Sequence, residues 1–204
     1  MAIRAILIDL DGVVRLWDAT YDAGVMEAAH IPIETIDRIA FASDLLSEAV
    51  TGRMSDEEWR DEIVARLTLI HPTLDARAAV AAWSQPIGHV NEPVRALTDV
   101  WRGRVAVALV SNATTRLPTD LTALGLMETF DVVVNSSAIG IAKPDPAIFR
   151  YALEQVGALP DEALFIDDTA GHILAARELG LETVHFTGDV DRLRDVVADR
   201  LDRP

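Results

Sequence analysis

The chain has 204 residues, half of them hydrophobic, enough to bury a full core as a single domain or as one domain carrying an insertion. A formal net charge of −15 argues against nucleic acid or an anionic membrane surface as a partner, because both would repel it. The absence of cysteine excludes disulfides, thiolate zinc sites and a cysteine nucleophile.

The first apolar run, Ala5 to Ile8, reads as a short buried strand stopped by Asp9. It is too short for a signal-peptide core, and nowhere do about eighteen apolar residues run together, so a soluble, cytoplasmic protein is expected. From about Arg15 to Gln85 the periodicity is helical, with no convincing strand. Ile33 to Val50 reads as one helix ending near Gly52. Ser55 and Glu58 form a capping box that starts a helix through Leu69: the serine oxygen accepts from the Glu58 N–H while the Glu58 carboxylate reaches back. Asp75 to Trp83 gives another helix, and Pro86 and Gly88 mark the way out.

Beyond that point, apolar runs at Val105 to Val110, Asp131 to Val134, Ala163 to Ile166 and Thr183 to Phe186 read as buried parallel strands. They alternate with helical patterns at Glu92 to Trp101, Arg116 to Leu124, Ala147 to Val156, Ala170 to Leu179 and Val190 to Leu201. Gly103, Gly125, Gly157 and Gly180 stand just past four of these helices. Strand alternating with helix predicts an α/β core whose parallel sheet is covered on both faces. The chain thus divides into a core of residues 1–14 and 86–204 and an all-helical lid of residues 15–85 inserted after the first strand.

Chemistry-bearing residues fall at four places, in sequence order at the same edge of the predicted sheet, the edge where open α/β sheets bind ligands. Asp9 and Asp11 bring two carboxylates, followed by Gly12. With an ordinary pKa of about 3.9, Asp9 is ionised at neutral pH and can act as nucleophile or metal ligand. Asp11 can donate and then accept a proton, and Gly12 lets backbone N–H groups approach an anion. Ser111 and Asn112 supply a hydroxyl and an amide, though both are also common helix caps. Lys143, the only lysine of the chain, sits between Ala142 and Pro144 in a stiff, proline-rich stretch and could neutralise charge shared by a carboxylate and a phosphate. Asp167 and Asp168 form a second acidic pair, suited with Asp9 to a hard cation such as Mg²⁺. Taken singly, each has an ordinary alternative: a turn, a cap or a solvated loop lysine. Together they make one complete centre for carboxylate attack on a phosphate.

In these segments, Asp9-Leu-Asp-Gly-Val, Ser111-Asn, Lys143-Pro-Asp and Asp167-Asp168, the sequence resembles the haloacid dehalogenase superfamily. The likeness is densest from Lys143 to Phe186, near the group of sugar-phosphate phosphatases and epoxide-hydrolase N-terminal domains. It implies a Rossmann-like core with a small helical cap and a phosphatase working through an aspartyl-phosphate on Asp9. It further implies Asp11 as general acid and then base, with Ser111 and Lys143 on the phosphoryl oxygens. Mg²⁺ would be held by Asp9, the Asp11 carbonyl and the pair Asp167 and Asp168, directly by Asp168 and through water by Asp167. The expected substrate is a small phosphorylated metabolite, a sugar phosphate first and a nucleotide monophosphate second. A phosphoglucomutase-like transferase shares all four segments. A dehalogenase has no need of Asp11, and a silent phosphate-binding module would not need Asp9 or Lys143. His172 departs from the asparagine or aspartate usual after the acidic pair and reads as a first-turn helix residue. His30, His71, His89 and His185 show no metal-like spacing. Trp17, Tyr21, Arg53, Met54 and Trp59 are candidates for the cap's substrate surface, although aromatics at helical spacing usually pack a core.

Overall fold

In the computed structural model, which describes residues 2–17 and 33–203, the strand β1 (Ala5–Ile8) lies at the centre of a five-stranded sheet. On one side it pairs with β4 (Ala106–Ser111) and then β5 (Val132–Asn135). On the other it pairs with β6 (Ala163–Asp167) and then β7 (Glu182–His185), and every pairing is parallel. Parallel neighbours need long crossovers. These are made by α5 (Glu92–Arg102), α6 (Leu117–Ala123), the short α7 (Ser136–Ile139), α8 (Pro146–Val156) and α9 (Ala170–Glu178), and α10 (Val190–Leu201) closes the chain.

Strand side chains alternate between faces, so β1 builds two cores at once. Ile6 and Ile8 join Val94 and Trp101 of α5, Leu121 of α6 and Leu193 and Val197 of α10. Ala5 and Leu7 join Ile148 and Phe149 of α8 and Ile173 and Ala176 of α9. This burial on both sides is why the strands read as unbroken apolar runs. The observed strands β4, β5 and β7 each lie within one residue of the predicted ones.

The helical segment has a third core of its own, where Ile36 of α1 (Ile33–Ala40), Leu45 of α2 (Ser43–Val50), Trp59, Ile63 and Leu67 of α3 (Asp56–Ile70) and Val80 of α4 (Ala76–Trp83) meet. The Ser55 and Glu58 capping box forms as expected, and Asp75 caps α4. Two expectations are corrected. The predicted single helix from Ile33 to Val50 is broken after Ala40: Ala42 is extended (φ −59°, ψ 133°), and the Ala40 carbonyl accepts the Trp59 indole N–H at 3.2 Å, where a continuing helix would have used it. The segment after Arg15 is also not free of strand. β2 (Arg15–Leu16) pairs antiparallel with β3 (His89–Val90) where the chain leaves and rejoins the sheet layer, and two residues are too few to show an alternating pattern.

Polar contacts hold the helical segment to the sheet. The Thr114 hydroxyl donates to Asp56 Oδ1 at 2.8 Å, the Asp56 N–H donates to the Thr115 hydroxyl at 2.9 Å, and Arg116 reaches the carbonyls of Ser84 and Pro86 at 2.7 and 3.1 Å. No helix among the described residues is long and apolar enough to cross a membrane.

Candidate active site

Since Ile8 pairs with Ile166, the next residue of each strand, Asp9 and Asp167, emerges side by side at the carboxyl edge. Between them stands Lys143, whose Nζ lies 2.7 Å from Asp9 Oδ1 and 2.8 Å from Asp167 Oδ2 with no exposed surface. One buried ammonium thus faces two buried carboxylates. Burial pushes Asp9 up to about 7, and the neighbouring Asp167 charge pushes the same way; Lys143 and the Leu10 N–H offset this only in part. Asp167 goes the other way, down to about 2. Its burial would raise it but is outweighed by the contact with His172, by Lys143 and by the Thr169 N–H.

Asn112 anchors this lysine. Its Nδ2 donates to the Lys143 carbonyl at 2.8 Å and its Oδ1 accepts the Lys143 N–H at 2.7 Å. One Asn112 amide N–H is thus committed to Lys143, while the side chain still stands in the wall of the strand-edge cavity. The Gly12 N–H itself donates to the Arg15 carbonyl at 2.9 Å. What Gly12 provides is space. Its φ is +78°, and a Cβ there would stand 1.9 Å from Asp168 Oδ2. Gly12→Ala is therefore expected to lower stability by about 1–3 kcal/mol through left-handed strain and the clash together. A urea denaturation midpoint equal to that of the parent would contradict this.

His172 Nδ1 lies 3.1 Å from each Asp167 oxygen, which makes it more than a first-turn helix residue. Asp9, Asp167 and His172 offer ligand atoms within 4.8 Å of one another. A cation among them would also meet the Lys143 ammonium, so this trio works as an ion network that balances charge. The donors that suit Mg²⁺ are different: Asp9, Asp168 in the space left by Gly12, and the main-chain carbonyl of Asp11, all hard oxygens.

Asp11 is clamped. Its Oδ1 accepts from Arg15 Nε and from Trp17 Nε1, both at 2.7 Å, and its Oδ2 from Arg15 Nη2 at 2.9 Å. Arg15 is itself buried, also donates to Asp120 Oδ2 at 3.1 Å, and lies 4.7 Å over the Trp17 ring. Its carboxylate partners raise the guanidinium above its ordinary value despite the opposing effect of burial. Sequence reasoning missed Arg15; the one signal was a charge directly following the apolar pair Val13 and Val14.

The edge opens into a cavity of about 780 Å³ lined by Asp9, Asp11, Gly12, Ser111, Asn112, Lys143 and Asp168. Of the predicted site residues only Asp167 is absent from this lining, since it stands behind with both oxygens engaged. Trp17, His89 and His172 line it too. Arg53 and Met54 border a separate surface hollow, Trp59 packs in the third core, and His185 Nε2 contacts the Asp168 carbonyl at 2.8 Å. Tyr21 and His30 lie outside the described residues.

Mouse haloacid dehalogenase-like hydrolase domain-containing protein 3 is 48% identical over 133 residues, 61% of this chain and 51% of that protein. Pig bifunctional epoxide hydrolase 2 is 40% identical over 67 residues, 33% of this chain and 12% of that protein. The chain thus spans about half of the first of these relatives and about an eighth of the second. Phosphatase MT3486 of Mycobacterium tuberculosis is 27% identical over 189 residues, 89% of this chain and 86% of that protein. Among solved structures, a HAD family enzyme from Bacteroides thetaiotaomicron in complex with magnesium and inorganic phosphate has a TM-score of 0.74 at 23% identity, covering 92% of this chain and 96% of that chain. The L-2-haloacid dehalogenase of Xanthobacter autotrophicus has a TM-score of 0.66 at 20% identity, covering 98% of this chain and 85% of that chain. These two likenesses show the fold. The model of the haloacid dehalogenase-like hydrolases matches residues 3–180, from the first strand through the whole of α9. On that match the chain belongs to the haloacid dehalogenase-like hydrolases.

Proposed function

We propose that the chain is a Mg²⁺-dependent phosphatase that hydrolyses a small organic phosphomonoester by way of a phosphoryl group carried on Asp9. The observation that carries this reading is the fully buried Lys143 ammonium between Asp9 and Asp167. A carboxylate that must approach an anionic phosphate needs its repulsion offset, and a buried cation held by a second acid does so without reorganising. The phosphatase named among the relatives, and the solved neighbour holding magnesium and inorganic phosphate, support the same reading.

In this proposal Asp9 attacks phosphorus and the bond to the alcohol oxygen breaks. Lys143 and the Ser111 hydroxyl hold phosphoryl oxygens. Asp11, carrying a proton, turns out of its clamp by Arg15 and Trp17 and gives that proton to the departing alkoxide. It then takes one from water, which attacks phosphorus and releases inorganic phosphate from Asp9. Asp9, Asp168 and the Asp11 carbonyl would hold Mg²⁺, which when bound supplies Lewis-acid charge neutralisation between the two anions. Residues 15–85 act as a cap that limits water and shapes the space for the alcohol.

Phosphate release from a panel of small phosphomonoesters, measured with Mg²⁺ and with EDTA, tests the proposal. Turnover is expected with Mg²⁺ and should fall by a factor of about 100 or more in EDTA, returning when Mg²⁺ is restored. A Mg²⁺-loaded protein inactive across the panel would sink the reading, and so would halide release from a 2-haloacid without metal.

A further inference from the structure

A second cavity, of about 380 Å³, adjoins the first, and Asp11, Trp17 and Asn112 stand in the walls of both. Its outer wall is aromatic. Trp83 meets Phe41 and Trp59 edge to face, with ring centroids 6.3 and 5.6 Å apart, and Leu46, Val50 and Leu117 extend the apolar surface. Phe41 remains 56% exposed at the rim, an unsatisfied apolar surface beside a catalytic cavity.

The charges in the lining exclude some ligands. Four acids, Asp11, Asp37, Asp56 and Asp120, stand in the lining against two cations, Arg15 and Arg116, with Arg60 just outside it paired to Asp56 at 2.7 Å, so acids still outnumber cations by one. Both lining cations are committed: Arg15 to Asp11 and Asp120, Arg116 to Asp120 and to the carbonyls of Ser84 and Pro86. Asp37 accepts the Trp83 indole N–H at 2.9 Å and has no ion-pair partner among the described residues. A second anionic group would find no free cation among the described residues of this lining, whereas an uncharged ring or an ammonium would be accepted.

We infer that this cavity receives the alcohol portion of the substrate, and that this portion is an aromatic group without negative charge. The substrates are then phosphate monoesters of uncharged or cationic aromatic alcohols, with the ring against Phe41 and Trp83 and the phosphate at Asp9. This rests on the phosphatase reading and puts an aromatic group ahead of a sugar, because a ring covers the exposed Phe41 and the Trp83 surface beside it, which a sugar's hydroxyls would leave unsatisfied. The volume fits a group of one or two rings, near the lower end of the roughly 300–1,000 Å³ usual for ligand sites.

The test compares kcat/KM for benzyl phosphate, glycerol 1-phosphate and 4-carboxybenzyl phosphate, in the unaltered protein and in Phe41→Ala. Benzyl phosphate should exceed glycerol 1-phosphate by about tenfold or more. The added carboxylate should cut the benzyl value by about tenfold. Phe41→Ala should narrow the ratio of benzyl to glycerol phosphate by about threefold or more. Glycerol phosphate turned over as well as benzyl phosphate, or no penalty for the carboxylate, would overturn the inference. If no ester releases phosphate, the phosphatase reading has failed and the cavity is tested separately by tryptophan fluorescence, because Trp17, Trp59 and Trp83 all line it. Saturable quenching by benzyl alcohol that weakens in Phe41→Ala would uphold the aromatic site; quenching that does not saturate would overturn it.

Discussion

Asp9→Asn is expected to lose turnover by a factor of about 10⁴ or more and, at pH 8 in EDTA, to melt above the unaltered protein. The loss follows from removing the attacking oxygen. The gain follows from linkage. Asp9 is pushed up to about 7 in the folded chain from an ordinary value of 3.8, so the folded state holds its proton more tightly than the unfolded state does. Between those two values the native state carries more bound proton, and its stability must fall as pH rises; above about 7 the penalty is complete. Asparagine keeps the shape, removes the charge and leaves Lys143 paired with Asp167. We expect a gain on the order of 1–3 kcal/mol at pH 8 that vanishes near pH 4. Urea denaturation of both proteins across that range checks it, and a difference that does not grow with pH would refute the account. Asp167 acts with the opposite sign. Held down to about 2, it contributes stability above 3.8 that is lost as pH falls between those values, which adds to acid unfolding in both proteins.

Lys143→Met should cost more stability than Asp9→Asn or Gly12→Ala. Methionine has nearly the same bulk, so packing survives, but two buried carboxylates are left without their shared ammonium. Breaking a buried pair in this way costs about 3–5 kcal/mol. One carboxyl escapes by taking up a proton, so the loss is expected to be largest at pH 8 and to shrink toward pH 5. Turnover should fall by a factor of about 100–1,000 at either pH, as when a preorganised charge is removed from a site. The double variant Asp9→Asn with Lys143→Met deletes one of the two stranded charges, and more than half of the lost stability should return. A double variant no more stable than Lys143→Met would place the damage in packing instead.

The alternation of apolar runs with helical patterns made the parallel sheet legible in the sequence, because a strand buried on both faces leaves an uninterrupted apolar word bounded by turns. The capping box at Ser55 was legible for a similar local reason: both of its hydrogen bonds lie within one turn. The break after Ala40 was not, since its cause, the Trp59 indole on the Ala40 carbonyl, comes from a residue 19 positions away. Strands β2 and β3 were illegible for want of length.

The sequence by itself determined which side chains end the strands, and that was enough to bring Asp9, Ser111 and Asp168 to one cavity, because register carries a strand end to the same edge as its neighbours; Lys143 reaches it from the loop that follows β5 and the short α7. Only the tertiary structure decided what those groups do for one another. It tied Asn112, in the cavity wall, to the Lys143 backbone and assigned Asp167 to the lysine and His172. It also closed Arg15 and Trp17 around Asp11, and showed that Gly12 makes room for a carboxylate. Spacing along a chain reports where a side chain starts, whereas hydrogen-bond partners, burial and the pKa values that follow depend on distances between segments that the chain brings together only when it folds.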